Sequence, residues 1–294
     1  MAARAKGAAR RIVRLFVCVV AGLAIGICLD VALVRSGLIR NPFAPIVGGD
    51  IGLARSDRPG LRVLFVGNSF TYENDMPALV HRLGASSGRA RPIFAVEYTA
   101  PGWRLRRAAA DHGLETLLRT VRWDWVVLQE QSEIPSLAPE RRRRDMYPFA
   151  RALQQKIRAA GARTLLFMTW AYEHGDDAAV PHDSFAAMQA RLAAGYDELG
   201  RELRVPVAPV GLAWAAARRA DSRLRLWQGD GRHPSRVGAY LSACVFYAVL
   251  TGRDPAASRF GAGLTRREAR VLRRAAWHAV RASRETRLRQ LAGR

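Results

Sequence analysis

The chain has 294 residues, 49% of them hydrophobic and 24% charged, an ordinary globular composition that excludes a disordered or low-complexity protein. Its formal net charge of +22 is unusual, and apart from Lys6 and Lys156 the basic residues are all arginine. Such a charge attracts anionic lipid, acidic polysaccharide or nucleic acid, but so complete an arginine bias is also what a GC-rich coding background leaves, so charge narrows the partners without naming one.

Residues 1–14 carry Arg4, Lys6, Arg10, Arg11 and Arg14 and no acid, and an apolar run from Leu15 to Leu29 follows. As a helix that run spans roughly 22 Å, short of a ~30 Å hydrocarbon core. Counting from Ile12 to Val34 gives enough length if Arg14 snorkels at one interface and Asp30 sits near the other. Residues 1–35 are therefore expected to be a signal anchor, with the basic flank inside and the rest of the chain outside. A cleaved signal peptide, releasing a secreted domain, is the alternative, although no small-x-small cleavage pattern follows the apolar run. Residues 36–60, with Pro42, Pro45, Gly48, Gly49, Pro59 and Gly60, read as a linker.

From Leu61 short apolar runs alternate with amphipathic stretches. Strands are predicted at 62–66, 93–98, 125–128, 164–169 and 205–210, apolar on consecutive positions as in parallel strands covered on both faces. Helices are predicted at 76–87, 105–121, 142–160, 185–203 and 235–250. This order predicts a doubly wound parallel sheet of five strands in residues 61–252. Residues 253–294 end in a basic amphipathic helix over 265–291. It either packs on the domain with its arginines in solvent, the reading preferred here, or lies on an anionic membrane surface.

Of the three cysteines, Cys18 and Cys28 fall in the apolar N-terminal segment and Cys244 in an apolar helix, so neither a disulfide nor a thiolate metal site is expected. His174 and His182 lack the Cys, Asp or Glu spacing of a metal site, and His81, His112 and His278 lie in helical stretches. No metal or other cofactor is expected.

In a parallel sheet, ligands bind beyond the C-terminal strand ends. The first strand ends in Gly67-Asn68-Ser69-Phe70-Thr71, where Gly67 permits a tight exit and Ser69 opens the next turn. A serine there is commonly a cap; it is also where a nucleophile is exposed to substrate. Late in the chain comes Asp230-Gly231-Arg232-His233-Pro234-Ser235. Its spacing lets Asp230 bend back onto the imidazole Nδ1–H, freeing Nε2 to accept a proton.

A Gly-x-Ser turn after the first strand and an Asp-x-x-His-Pro loop before a late helix, in that order, resemble the SGNH (GDSL-like) hydrolase superfamily across residues 61–252. The resemblance implies a flavodoxin-like three-layer α/β/α sandwich and a triad of Ser69, His233 and Asp230. It also implies an acyl-Ser69 intermediate and an oxyanion hole from the Ser69 and Gly102 N–H groups plus a side-chain amide. The family's Gly-x-Asn-Asp block is absent. The third strand ends instead in Gln129-Glu130-Gln131-Ser132, and aligning strand ends puts Gln131 where the asparagine would be, with Gln129 the second choice. Asn68, Gln129, Trp170 and Tyr172 are the expected substrate contacts, although the two aromatics fit a core role equally well.

The expected function is an extracytoplasmic serine esterase removing a small acyl group, acetyl above all, from a carbohydrate or cell-envelope compound. The expected partners are that ester and, through the N-terminal helix, the membrane, with no nucleic acid. An O-acyltransferase with the same triad and a non-catalytic module binding an anionic polymer are the alternatives.

Overall fold

The segment Leu-Arg-Val-Leu-Phe-Val-Gly at 61–67 is apolar at consecutive positions, and as a strand it sends alternate side chains to opposite faces. Val63 and Phe65 enter one buried layer, Leu64 and Val66 the other. A strand buried on both faces can only be interior to a sheet with helices above and below. The computed structural model describes residues 44–88 and 91–292. The expected anchor at 1–35, with Cys18 and Cys28, and residues 36–43 of the expected linker lie outside the described residues. Among those described, no helix is long and apolar enough to cross a membrane.

The strands are β1 (Ile46–Gly49), β2 (Leu61–Gly67), β3 (Ile93–Thr99), β4 (Trp125–Leu128), β5 (Arg163–Phe167) and β6 (Val207–Ala208). They form one sheet in the order β1-β3-β2-β4-β5-β6. β2 to β6 run parallel, with Val63 beside Ala95 on one neighbour and Trp125 on the other. Within that order lies the flavodoxin-like arrangement, whose switch point falls between β2 and β4. The sheet has six strands rather than five, because β1 adds antiparallel to the outer edge of β3, with Ile46 opposite Thr99. Its Ile-Val-Gly-Gly sequence lies in the stretch read as a linker, and its exposed side chains leave no buried apolar face to mark it.

The helices are α1 (Ile51–Ala54), α2 (Ser69–Tyr72), α3 (Met76–Ala85), α4 (Leu105–Ala109), α5 (His112–Thr120), α6 (Pro139–Asp145), α7 (Tyr147–Ala159), α8 (Phe185–Leu203), α9 (Val210–Ala220), α10 (Arg236–Thr251) and α11 (Arg266–Ala292). Two stretches predicted as single helices are broken. The Asp111 carboxylate accepts from the Leu114 N–H and caps α5, ending α4 before it. Pro148, without an N–H, can only stand in the first turn of α7, so α6 stops at Asp145. The predicted strand at 205–210 keeps only two paired residues, since Pro206 and Pro209 cannot donate to a ladder.

α3, α9, α10 and α11 cover the face bearing Val63 and Phe65; α4, α5 and α7 cover the other. α8 contributes Met188 and Leu192 to the first layer and Tyr196 and Leu199 to the second. α10 is buried from Gly238 to Ala248, and burial pushes the Cys244 thiol there up to about 12. α11 packs Leu272, Ala276 and Val280 into the first layer, with Arg270, Arg274 and Arg281 exposed opposite.

Candidate active site

Ser69 is placed by its neighbours. β2 ends at Gly67, where a Cβ would collide with the side chains of Gln129 and Thr71. Asn68 then adopts an extended conformation, and its Oδ1 accepts from the Phe70 N–H at 3.1 Å, capping α2. Its Nδ2 donates to the Trp103 carbonyl at 2.8 Å and draws the loop after β3 against the Ser69 turn. The Ser69 and Gly102 N–H groups donate to no protein acceptor among the described residues. Gly102 is exposed at φ +62, a conformation that glycine adopts without strain.

The loop that carries His233 is organised by Asp230. Its Oδ1 accepts from the backbone N–H of Arg232 at 2.9 Å and of His233 at 3.0 Å, across a turn in which Gly231 has φ +65. Its Oδ2 lies 2.5 Å from His233 Nδ1. Burial pushes the Asp230 carboxyl up, but bonds from the His233 ring and from these two N–H groups outweigh it and hold it below the usual carboxylate range. On the far side of the ring, Nε2 lies 3.0 Å from Ser69 Oγ, across 164 residues of sequence. The Phe70 ring packs edge-on against the imidazole at 5.7 Å. The couple is open, with the His233 and Asp230 side chains 35% and 44% exposed.

The expected substrate contacts prove to be supports. Gln129 is buried at the end of β4 with both ends of its amide in use. Its Oε1 accepts from Asn68 N at 2.9 Å and Thr71 Oγ1 at 2.9 Å, while Nε2 donates to Asn68 Oδ1 at 3.0 Å and the Glu130 carbonyl at 2.5 Å. Asn68 is equally buried, its Oδ1 accepting from Phe70 N and Gln129 Nε2 and its Nδ2 donating to the Trp103 carbonyl. Trp170 is wholly buried, stacked on Phe70 at 4.6 Å and on Trp214 at 4.1 Å, and its Nε1 donates to the Arg232 carbonyl at 3.0 Å. It holds the histidine loop from beneath. Tyr172 is buried too, its hydroxyl 2.7 Å from Ser132 Oγ and 3.2 Å from Glu133 Oε1, with the Arg232 guanidinium over its ring. All four were expected at the substrate because they follow strand ends, but the polar capacity of that layer is spent inside the protein.

Gln131 differs. It is half-buried, its Oε1 accepts from Glu133 N at 3.1 Å, and its Nε2 has no protein partner among the described residues. Between the two glutamines stands Glu130, which sequence reading passed over. Its Oε1 accepts from Leu105 N at 3.2 Å and Gln131 N at 2.7 Å, joining the loop that carries Gly102 to the loop that carries Gln131. Burial pushes its carboxyl up to about 8 against the pull of those N–H donors, and its Oε2 is buried without a partner. Burial thus favours its neutral form. The alternation of Gln129, Glu130 and Gln131 at a strand end was the available signal, since successive side chains there point to different surroundings.

His174 is exposed, and no cluster of three His, Cys, Asp or Glu side chains among the described residues is arranged to hold a metal ion. A cavity of about 400 Å³ lined by Glu173, His174, Ser184, Phe185, Ala186 and Arg218 adjoins the histidine loop through Gly231, but neither Ser69 nor His233 lines it.

The flavodoxin-like sheet that brings Ser69, His233 and Asp230 together is a fold that solved structures share. No protein-family profile matches the chain, and no curated protein does. Among 45 matching solved chains, a DUF4886 family protein from Bacteroides uniformis has a TM-score of 0.64 at 19% identity, covering 75% of this chain and 95% of its own. A protein assigned as an SGNH hydrolase, from Slackia heliotrinireducens, has a TM-score of 0.54 at 26% identity, covering 65% of this chain and 99% of its own. The acetyl xylan esterase AlAXEase has a TM-score of 0.50 at 15% identity, covering 65% and 100%. The chain therefore has the fold of SGNH and GDSL-like hydrolases, and its β4 strand ends in Gln-Glu-Gln-Ser.

Proposed function

We propose that this chain is a serine hydrolase acting on carboxylic esters, and the observation that carries the reading is the 3.0 Å contact of Ser69 Oγ with His233 Nε2, backed by Asp230. Ser69 Oγ attacks the ester carbonyl as its proton passes to Nε2. Asp230 keeps the Nδ1 proton in place and stabilises the imidazolium. The carbonyl oxygen, now anionic, takes the N–H groups of Ser69 and Gly102 and the Nε2 of Gln131. Nε2 then protonates the departing alkoxide as the acyl–oxygen bond breaks, leaving acyl-Ser69. Water, deprotonated by Nε2, attacks that ester; the acid leaves and the proton returns to Ser69.

The reading extends to a small acyl group, acetyl above all, on a carbohydrate or cell-envelope compound. The openness of the couple supports it, as does the acetyl xylan esterase among proteins of this fold. The basic, apolar N-terminal sequence supports a domain held outside a membrane. The full chain in mild detergent should hydrolyse p-nitrophenyl acetate, and Ser69→Ala should abolish this with the fold unchanged by circular dichroism. Equal activity in the variant would remove Ser69 from the mechanism.

A further inference from the structure

We propose that Asn74 is a positioning residue of the Ser69–His233 couple, clasping the nucleophile segment to the histidine loop through the Pro234 carbonyl. The inference rests on the esterase reading above and deepens it. Ser69 and His233 come from segments with no covalent connection nearby, yet their reacting atoms must stay within hydrogen-bonding reach. Asn74 Nδ2 donates to the carbonyl of Pro234, the residue after His233, at 2.9 Å. The same oxygen accepts from Gln228 Nε2 at 3.0 Å, and Gln228 Nε2 also reaches Glu73 Oε2 at 3.2 Å. Gln228 N in turn donates to the His233 carbonyl at 2.8 Å. One carbonyl beside the histidine thus takes an amide from each of the two segments that build the site.

The backbone supports this reading independently. Asn74 and the following Asp75 both stand in the left-handed region, at φ 56 and φ 52, and neither is glycine. Two adjacent residues there are unfavourable for L side chains, and such conformations persist where the surroundings over-determine them, most often at functional sites. The turn has a consequence: it breaks the helical path between α2 and α3 and points the Asn74 amide across to Pro234. Continued as helix, the chain would carry that amide elsewhere. Asparagine is among the residues that tolerate this conformation best, and it alone among the uncharged ones also brings an amide donor on one methylene.

The test uses Asn74→Gly and Asn74→Asp, which both keep left-handed backbone accessible and remove the donor, in the full chain in mild detergent. kcat for p-nitrophenyl acetate, and the rate of labelling by a fluorophosphonate, should both fall by about 10- to 100-fold, the scale of a misplaced reacting group. KM should hold within about two-fold, because no group lining the site is removed, and a purely structural residue would not split kcat from KM in this way. Gln228→Met, which leaves Asn74 untouched, should lower kcat by a smaller factor, and with Asn74→Gly its effect should be less than additive because both amides serve one oxygen. It also reads the clasp if the Asn74 variants do not fold. Unchanged kcat and labelling in folded variants, or strict additivity, would overturn the clasp. Absence of labelling in the unaltered chain would instead overturn the esterase reading.

Discussion

Replacing Gln129 by leucine and Gln131 by leucine should have opposite signatures, although the two stand two residues apart. Gln129→Leu keeps the volume and deletes the amide. Asn68 N and Thr71 Oγ1 lose their acceptor, Asn68 Oδ1 keeps only the Phe70 N–H, and the Glu130 carbonyl loses its side-chain donor. Each buried polar group left unpaired costs about 1–3 kcal/mol. The Thr71 hydroxyl can rotate to another acceptor and Asn68 Oδ1 retains one bond, so the Asn68 N–H dominates and the total is about 2–4 kcal/mol. For a domain of this size that lowers Tm by roughly 5–15 °C. The rate should fall as well, since Asn68 fixes both the Ser69 turn and the Gly102 loop. Gln131→Leu frees only the Glu133 N–H, which is part-buried and within reach of water, so its Tm should fall by no more than about 4 °C, while kcat falls by about 10²- to 10³-fold for a lost oxyanion donor. Thermal unfolding by circular dichroism and p-nitrophenyl acetate turnover on the same samples read both. A stable, inactive Gln129→Leu beside an unstable, active Gln131→Leu would show that the roles of the two glutamines have been exchanged.

Two further variants test the electrostatics. The folded value of Glu130, about 8, lies above that of the unfolded chain, so its contribution to stability is whole below the unfolded carboxylate range and is lost as pH rises toward 8. Glu130→Gln should therefore match the parent in Tm near about pH 5 and exceed it near about pH 9, and a constant Tm difference would contradict a neutral Glu130. Asp230→Asn should keep the turn, its oxygen still accepting from Arg232 and His233, but present an N–H to Nδ1 and so drive the ring proton to Nε2; kcat should fall by about 10³-fold or more. The carboxyl of Asp230 is held below its usual value, so its contribution to stability is present above the ordinary carboxylate range and is lost as pH falls through the lowered value; the Tm gap between parent and variant should close in acid.

What could be read from the residues alone follows a physical boundary. The β2 to β5 strands were legible because burial on both faces demands consecutive apolar residues; the Ser69 turn and the Asp230–His233 loop, each ambiguous alone, were legible as a pair through the order in which they occur and the resemblance it carries, and the fold brings them together. β1 was not, since an edge strand of Ile-Val-Gly-Gly pairs through its backbone and leaves no side-chain pattern. Gln129, Asn68, Trp170 and Tyr172 follow the C-terminal ends of strands, but whether a polar or aromatic side chain there faces outward or spends its bonds inside the protein depends on partners from distant segments. Asn74 shows the same limit. Asn-Asp-Met-Pro marks a turn, but only the fold reveals that its amide reaches Pro234.

The account stands or falls on a hydroxyl at position 69 activated by the imidazole at position 233. Incubating the full chain with a fluorophosphonate and mapping the adduct by peptide mass spectrometry tests this without any guess at substrate. The account predicts one stoichiometric adduct, on the peptide containing Ser69, formed at least about 10³-fold more slowly in His233→Ala. An adduct on another serine, or labelling of Ser69 that does not depend on His233, would contradict it.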